Sequence, residues 1–142
     1  MRGRLVFPPN QGVLKALRAK IRAAASSLGA APEVCDSLAL VVDELVNNAV
    51  EHGTSYRRKA LDLAIELGES GDRISIEFFD QEMPTADVHE LARALAAAAS
   101  GMPSLESERG RGLFLMSVYL EGLRAEVAQV GGLRLVGMVA KR

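Results

Sequence analysis

A carboxylate, a carboxamide and an imidazole recur every fourth residue inside one apolar stretch. In Val42-Asp43-Glu44-Leu45-Val46-Asn47-Asn48-Ala49-Val50-Glu51-His52-Gly53 they are Glu44, Asn48 and His52. On an α-helix such residues stack on one face. Val41, Leu45 and Ala49 form an apolar row one residue round from them. A carboxylate and a carboxamide beside a buried stripe must face water, a ligand or a partner. Together they offer one negative and one neutral oxygen, which suits a hard cation such as Mg²⁺ or its bound waters. Two such groups are too few for an all-protein cage, but they fit a site where phosphates and water complete the shell. The same spacing also reads as a solvated polar strip at a helix end.

Two further clusters carry chemistry. Glu108-Arg109-Gly110-Arg111-Gly112 opens onto Leu113-Phe114-Leu115-Met116. Glycines at a helix start let backbone N–H groups approach an anion, and the helix dipole favours negative charge there. On its own the Gly-x-Gly is a weak signal and reads more readily as a flexible loop. Asp80, after Phe79, closes an alternating apolar run. It can accept a hydrogen bond from an exocyclic amine, or simply start a turn.

The elements that must position these groups are legible from period and punctuation. Leu5-Val6-Phe7, closed by Pro8-Pro9, predicts a short edge strand. Asn10 caps a helix over about 11–28, and Gly29 ends it. Pro32 suits the first turn of a second helix, about 32–52, with Gly53 as its stop. The period then falls to two: Leu61, Leu63, Ile65 and Leu67, then Ile74, Ile76 and Phe78, form a hairpin with one buried face. The segment of about 81–111 holds an alanine-rich helix near 88–99 with few anchors, and reads as mobile relative to the sheet. A short helix, 113–119, follows Gly110-Arg111-Gly112. Strands near 123–130 and 133–140 close the chain around Gly131-Gly132. Two hairpins and helices in this order predict a two-layer α/β (α+β) sandwich, its sheet mainly antiparallel with helices on one face, in a single domain spanning 1–142.

Composition narrows the class. A net charge of −1 argues against a dedicated nucleic-acid-binding protein. One cysteine excludes an intramolecular disulfide. No apolar run approaches the roughly 20 residues of a bilayer span, and the N-terminal residues make a poor signal peptide. A cytoplasmic protein with no membrane contact is expected.

Taken in order, Glu44-x-x-x-Asn48-Ala49, Asp80 after a hairpin strand, and Gly110-x-Gly112-Leu113 resemble the gyrase, heat-shock, histidine-kinase and mismatch-repair (GHKL) ATPase superfamily, with its histidine-kinase-like (Bergerat) fold. Within it, nearly the whole chain resembles the anti-sigma factor serine-protein kinases of bacterial partner-switching systems, through DELVNNAVEHG, RGRGLFLM and the closing GGLRLVGMVAKR. The resemblance implies a mixed, mainly antiparallel sheet with ATP on the helical side. It implies that Asn48 ligates Mg²⁺, Glu44 is the base for the attacking hydroxyl and Asp80 reads the adenine amine. Gly110, Arg111 and Gly112 would wrap the triphosphate beneath a lid of about 81–111. The substrate would be a serine or threonine of an anti-sigma factor antagonist, a STAS-domain protein. A sigma factor would be the alternative partner, and the kinase a homodimer regulating transcription.

The sequence departs from that family twice. Asp80-Gln81-Glu82 replaces Asp-x-Gly, placing a negative side chain near the phosphates, and Leu133 replaces a threonine that supports the adenine site. These departures motivate a second reading: a nucleotide-weak module that sequesters a sigma factor or antagonist by protein contacts alone. A third is a histidine-kinase catalytic domain cut from a receptor, which the lack of a dimerisation helix with a phosphorylatable histidine disfavours. Among the remaining polar residues, Asn47 and Glu51 read as solvated, His52 as a helix-end residue, Cys35 as a small buried group, and Arg57-Arg58-Lys59 as solvated charge or a docking patch.

Overall fold

The computed structural model describes residues 2–100 and 108–142. The strands are β1 (Arg2–Phe7), β2 (Leu63–Ser70), β3 (Arg73–Asp80), β4 (Glu121–Val127) and β5 (Leu133–Ala140). The helices are α1 (Leu14–Ser27), α2 (Pro32–Gly53), α3 (Thr85–Ala99) and α4 (Glu108–Tyr119). The order β-α-α-β-β-α-α-β-β is the one the sequence predicts.

The sheet has the order β1-β2-β3-β5-β4, and each neighbouring pair is antiparallel. β5 thus lies between β3 and β4, and the intervening helices carry the chain across. Alternation in the β2–β3 hairpin turns Leu63, Ile65, Leu67, Ile74, Ile76 and Phe78 inward, all with 2% exposure or less. Each such side chain is worth roughly 1.5–3 kcal/mol of burial. They meet Leu17 and Ile21 of α1 and Leu38, Val41, Val42 and Leu45 of α2 in one core.

The opposite face of the sheet mixes apolar side chains with charged pairs. Val6, Ala64, Phe79, Arg134 and Glu126 form one cross-strand row. Arg4 lies over the Phe79 ring at 5.2 Å, and Arg134 donates to the buried Glu77 at 2.9 Å and also to Glu126.

Some local expectations are corrected. Asn10 caps a 3-10 turn, Gln11–Val13, before α1 begins; its side chain accepts from the Gly12 N–H at 2.9 Å. The closing hairpin uses a longer turn than Gly131-Gly132 alone, closed by Ala128 N–H to Gly132 carbonyl at 2.8 Å. The alanine-rich helix is well anchored: Val88, Leu91, Leu95 and Ala98 of α3 are all buried. α3 packs against β4 and α4. Residues 101–107 of the expected lid lie outside the described residues. Gly110, Arg111 and Gly112 do not form a loop in front of a helix, because α4 already starts at Glu108. A glycine inside a helix costs about 1 kcal/mol relative to alanine, and at Gly112 close approach to α2 explains its presence.

Candidate functional site

α2 supplies one wall of the site. Its stripe of Val41, Val42, Leu45, Val46 and Ala49 is buried against the sheet. That rotation leaves Glu44, Asn47, Asn48 and Glu51 toward α4. These four residues, with Arg111, Gly112 and Leu115, line an open cleft of about 410 Å³. Its size is within the range of about 300–1,000 Å³ usual for ligand pockets.

The packing of α4 against α2 depends on Gly112. A Cβ there would stand 2.4 Å from Glu44 Oε2, so only glycine leaves the carboxylate where it is. The glycine is buried, while Arg111 beside it is exposed at the mouth of the cleft. Gly110 is helical and falls one residue before this wall. The expected phosphate loop is therefore replaced by a helix that brings one cation and one bare backbone position to Glu44 and Asn48.

Asn48 also borders a second, much smaller void of about 20 Å³, shared with Leu45, Ala49, His52, Phe78, Met83, Leu91, Leu133 and Leu135. That void has room for about one water molecule. Leu133, 2% exposed, helps to fill it. His52 faces this side and a shallow hollow of about 200 Å³ with Ser55, Tyr56, Met83, Asp87 and Glu90. The helical row therefore divides: Glu44 and Asn48 share the open cleft, and His52 does not line it.

Asp80 ends β3 with no exposed surface. Its carboxylate accepts four hydrogen bonds. Oδ1 takes Arg57 Nη1 at 3.1 Å and the Glu82 N–H at 3.2 Å. Oδ2 takes Arg57 Nη2 at 2.7 Å and the Tyr56 hydroxyl at 2.8 Å. The arginine is a two-pronged fork, the strong geometry for this pairing. Glu82 braces it from the other side, accepting from Arg57 Nη1 at 3.2 Å and from the Lys59 N–H at 2.7 Å. Arg57 Nη2 also reaches the Ala49 carbonyl of α2 at 3.2 Å. A Cβ at Gly53 would stand 2.6 Å from that guanidinium, so the glycine that stops α2 also makes room for Arg57. Burial, reinforced by the Asp80 charge, pushes the Tyr56 hydroxyl well above its ordinary value.

Sequence reasoning missed these partners. Arg57 sits in a basic triplet, Arg57-Arg58-Lys59, that reads as solvated; Arg58 and Lys59 are exposed, but the Arg57 side chain is only 10% exposed. The one signal was Glu82, a carboxylate two residues after Asp80, which needs a cation if both are buried. Asn47 and Glu51 line the cleft, and their spacing from Glu44 and Asn48 along α2 could have found them. Asn47 also accepts from Gln11 Nε2 at 3.1 Å. Among the described residues, no cluster of three acidic, histidine or cysteine ligands could hold a metal by itself. No described helix is long and apolar enough to cross a membrane.

Residues 7–136 match the model of the histidine kinase-like ATPase domain, and the chain belongs to that family. The superfamily resemblance carried by Glu44, Asn48 and their neighbours is thereby borne out. The fold is also similar to a solved structure, the SiaB-SiaC complex from Pseudomonas aeruginosa. The two chains are 17% identical, with 95% of this chain and 88% of that chain covered, at a TM-score of 0.70. No curated protein matches the chain.

Proposed function

We propose that this domain is an ATP-dependent serine-protein kinase that phosphorylates an anti-sigma factor antagonist and alternatively holds a sigma factor. One observation carries the catalytic part: Glu44 and Asn48 line one open cleft, and Gly112, without a side chain, leaves the Glu44 carboxylate in place there. The donor set fits a magnesium–triphosphate unit. Asn48 offers a neutral oxygen to the metal, Arg111 a cation to the phosphates, and Gly112 a close approach. The metal would supply charge neutralisation on the phosphate oxygens.

The chain's own task is to align the acceptor and take its proton. A serine Oγ entering the cleft loses its proton to the Glu44 carboxylate as its bond to the γ-phosphorus forms. The bond from that phosphorus to the bridging oxygen breaks, and ADP departs. Such transfer asks for positioning and electrostatics more than covalent help. Glu44 is one helical turn from Asn48, near enough to act as base without displacing the metal ligand. The family match supports nucleotide chemistry. The fold likeness to a protein solved as a complex with a partner supports the partner-switching setting, with a STAS-domain antagonist and a homodimer carried over from the sequence resemblance.

The closed surroundings of Asp80 favour a second reading, a protein-binding module with weak nucleotide affinity. Incubation with radiolabelled ATP, Mg²⁺ and a STAS-domain protein from the same organism, alongside a nucleotide-binding titration, separates the two. Phosphoserine that disappears with Glu44→Gln supports the kinase, and weak or absent nucleotide binding with no transfer supports the module.

A further inference from the structure

We infer that Arg57 occupies the place at Asp80 that an adenine amine would need, so that the cleft selects a magnesium–triphosphate by its phosphates and not by its base. The inference rests on the triphosphate reading of the cleft and names what that site discriminates.

The argument is one of satisfied valence. A carboxylate has about four lone-pair positions, and all four at Asp80 are used: two by the Arg57 fork, one by Tyr56 and one by the Glu82 N–H. An exocyclic amine would have to displace one of these donors. Displacing Arg57 would leave Asp80 and Glu82 buried together, at 1% and 8% side-chain exposure, without their shared cation. That is among the costliest changes a fold can suffer. The void that Asn48 shares with Phe78, Met83 and Leu133 is about 20 Å³, a fraction of a purine ring.

The phosphate end is far roomier, since its cleft is about 410 Å³ and open. A free carboxylate at the base end would reject guanine, which presents a carbonyl oxygen where adenine presents an amine. A site built to hydrogen-bond one such group rejects the analogue lacking it by about 10⁴-fold. With Asp80 engaged, that discrimination is gone. Glu82 and Leu133 then belong together: the first holds Arg57 in place, and the second fills the space that a base would take.

The test is a calorimetric titration of the full chain with MgATP, MgGTP, MgCTP and magnesium–inorganic triphosphate. The expected result is four dissociation constants within about threefold of one another, far from the roughly 10⁴-fold preference of a base-reading site. MgATP binding more than about tenfold tighter than MgGTP would overturn the inference while leaving the triphosphate cleft intact. No binding of any of the four would overturn the cleft reading and this inference with it. A double variant, Arg57→Gln with Glu82→Gln, removes one charge of each sign and frees an acceptor on Asp80. If it folds, as thermal melting will show, MgATP should gain on MgGTP, and an unchanged ratio would count against the inference. If it does not fold, the wild-type ratio decides.

Discussion

Glu44, on α2, and Asp80, at the end of β3, are both carboxylates, yet their surroundings differ completely. Glu44 lies against the bare backbone of Gly112 on the wall of an open cleft of about 410 Å³. Asp80 is sealed under Arg57, Tyr56 and the Glu82 backbone. One is kept accessible by the absence of a side chain opposite, and the other is consumed by side chains that converge on it. Which of the two can meet a ligand is decided by these neighbours and not by residue type.

The comparison breaks first at Glu44. Replacing it with Gln keeps the shape and removes the base, so transfer to the antagonist should fall by about 10²–10⁴-fold, with triphosphate affinity little changed. Single-turnover transfer together with calorimetry checks this; transfer near the wild-type rate would remove Glu44 from the base role. At the sealed end, Arg57→Ala should cost about 3–5 kcal/mol of stability, the usual result of removing one partner of a buried ion pair. Urea unfolding measures it, and a loss under about 1 kcal/mol, typical of an exposed pair, would mean that the cluster is not sealed. Arg57→Lys should recover only part of this, since an ammonium cannot form the fork.

Gly112→Ala sharpens the open end. The new methyl would displace the Glu44 carboxylate and should slow transfer by about tenfold. The fold should hold, because alanine is the better helix former by about 1 kcal/mol. Equal transfer rates would show that Glu44 accommodates the methyl freely. The smallest effect is alkaline. The Tyr56 value is raised in the folded state, so its contribution is complete below the unfolded value of about 10 and is lost as pH rises toward the folded one. Unfolding free energy should therefore drop across that alkaline window, and Tyr56→Phe should flatten the drop. Parallel curves for the two proteins would place Tyr56 outside the cluster.

Much of the architecture was legible in local patterns. Alternation in Leu63–Leu67 and Ile74–Phe78, the four-residue row in α2 and the Gly29 and Pro32 boundaries each report a local rule that the packing obeys, whereas Gly53 is still helical and is explained by the room it leaves for Arg57. The cleft residues Glu44 and Asn48 were legible because an apolar stripe fixes which way a helix must face. Arg57 was not, because its burial depends on a contact with Asp80 across 23 positions, which no periodicity encodes. The first turns of α4 were misread for a related reason. Two glycines signal a loop by propensity, and only the proximity of Glu44 makes one of them useful inside a helix.

The most direct test of the central claim is titration of inorganic triphosphate into the full chain, with Mg²⁺ and with EDTA, for wild type and Asn48→Ala. The account predicts binding that requires both the metal and Asn48. Wild-type protein that takes up no triphosphate, or binding that is indifferent to Asn48→Ala, would contradict it.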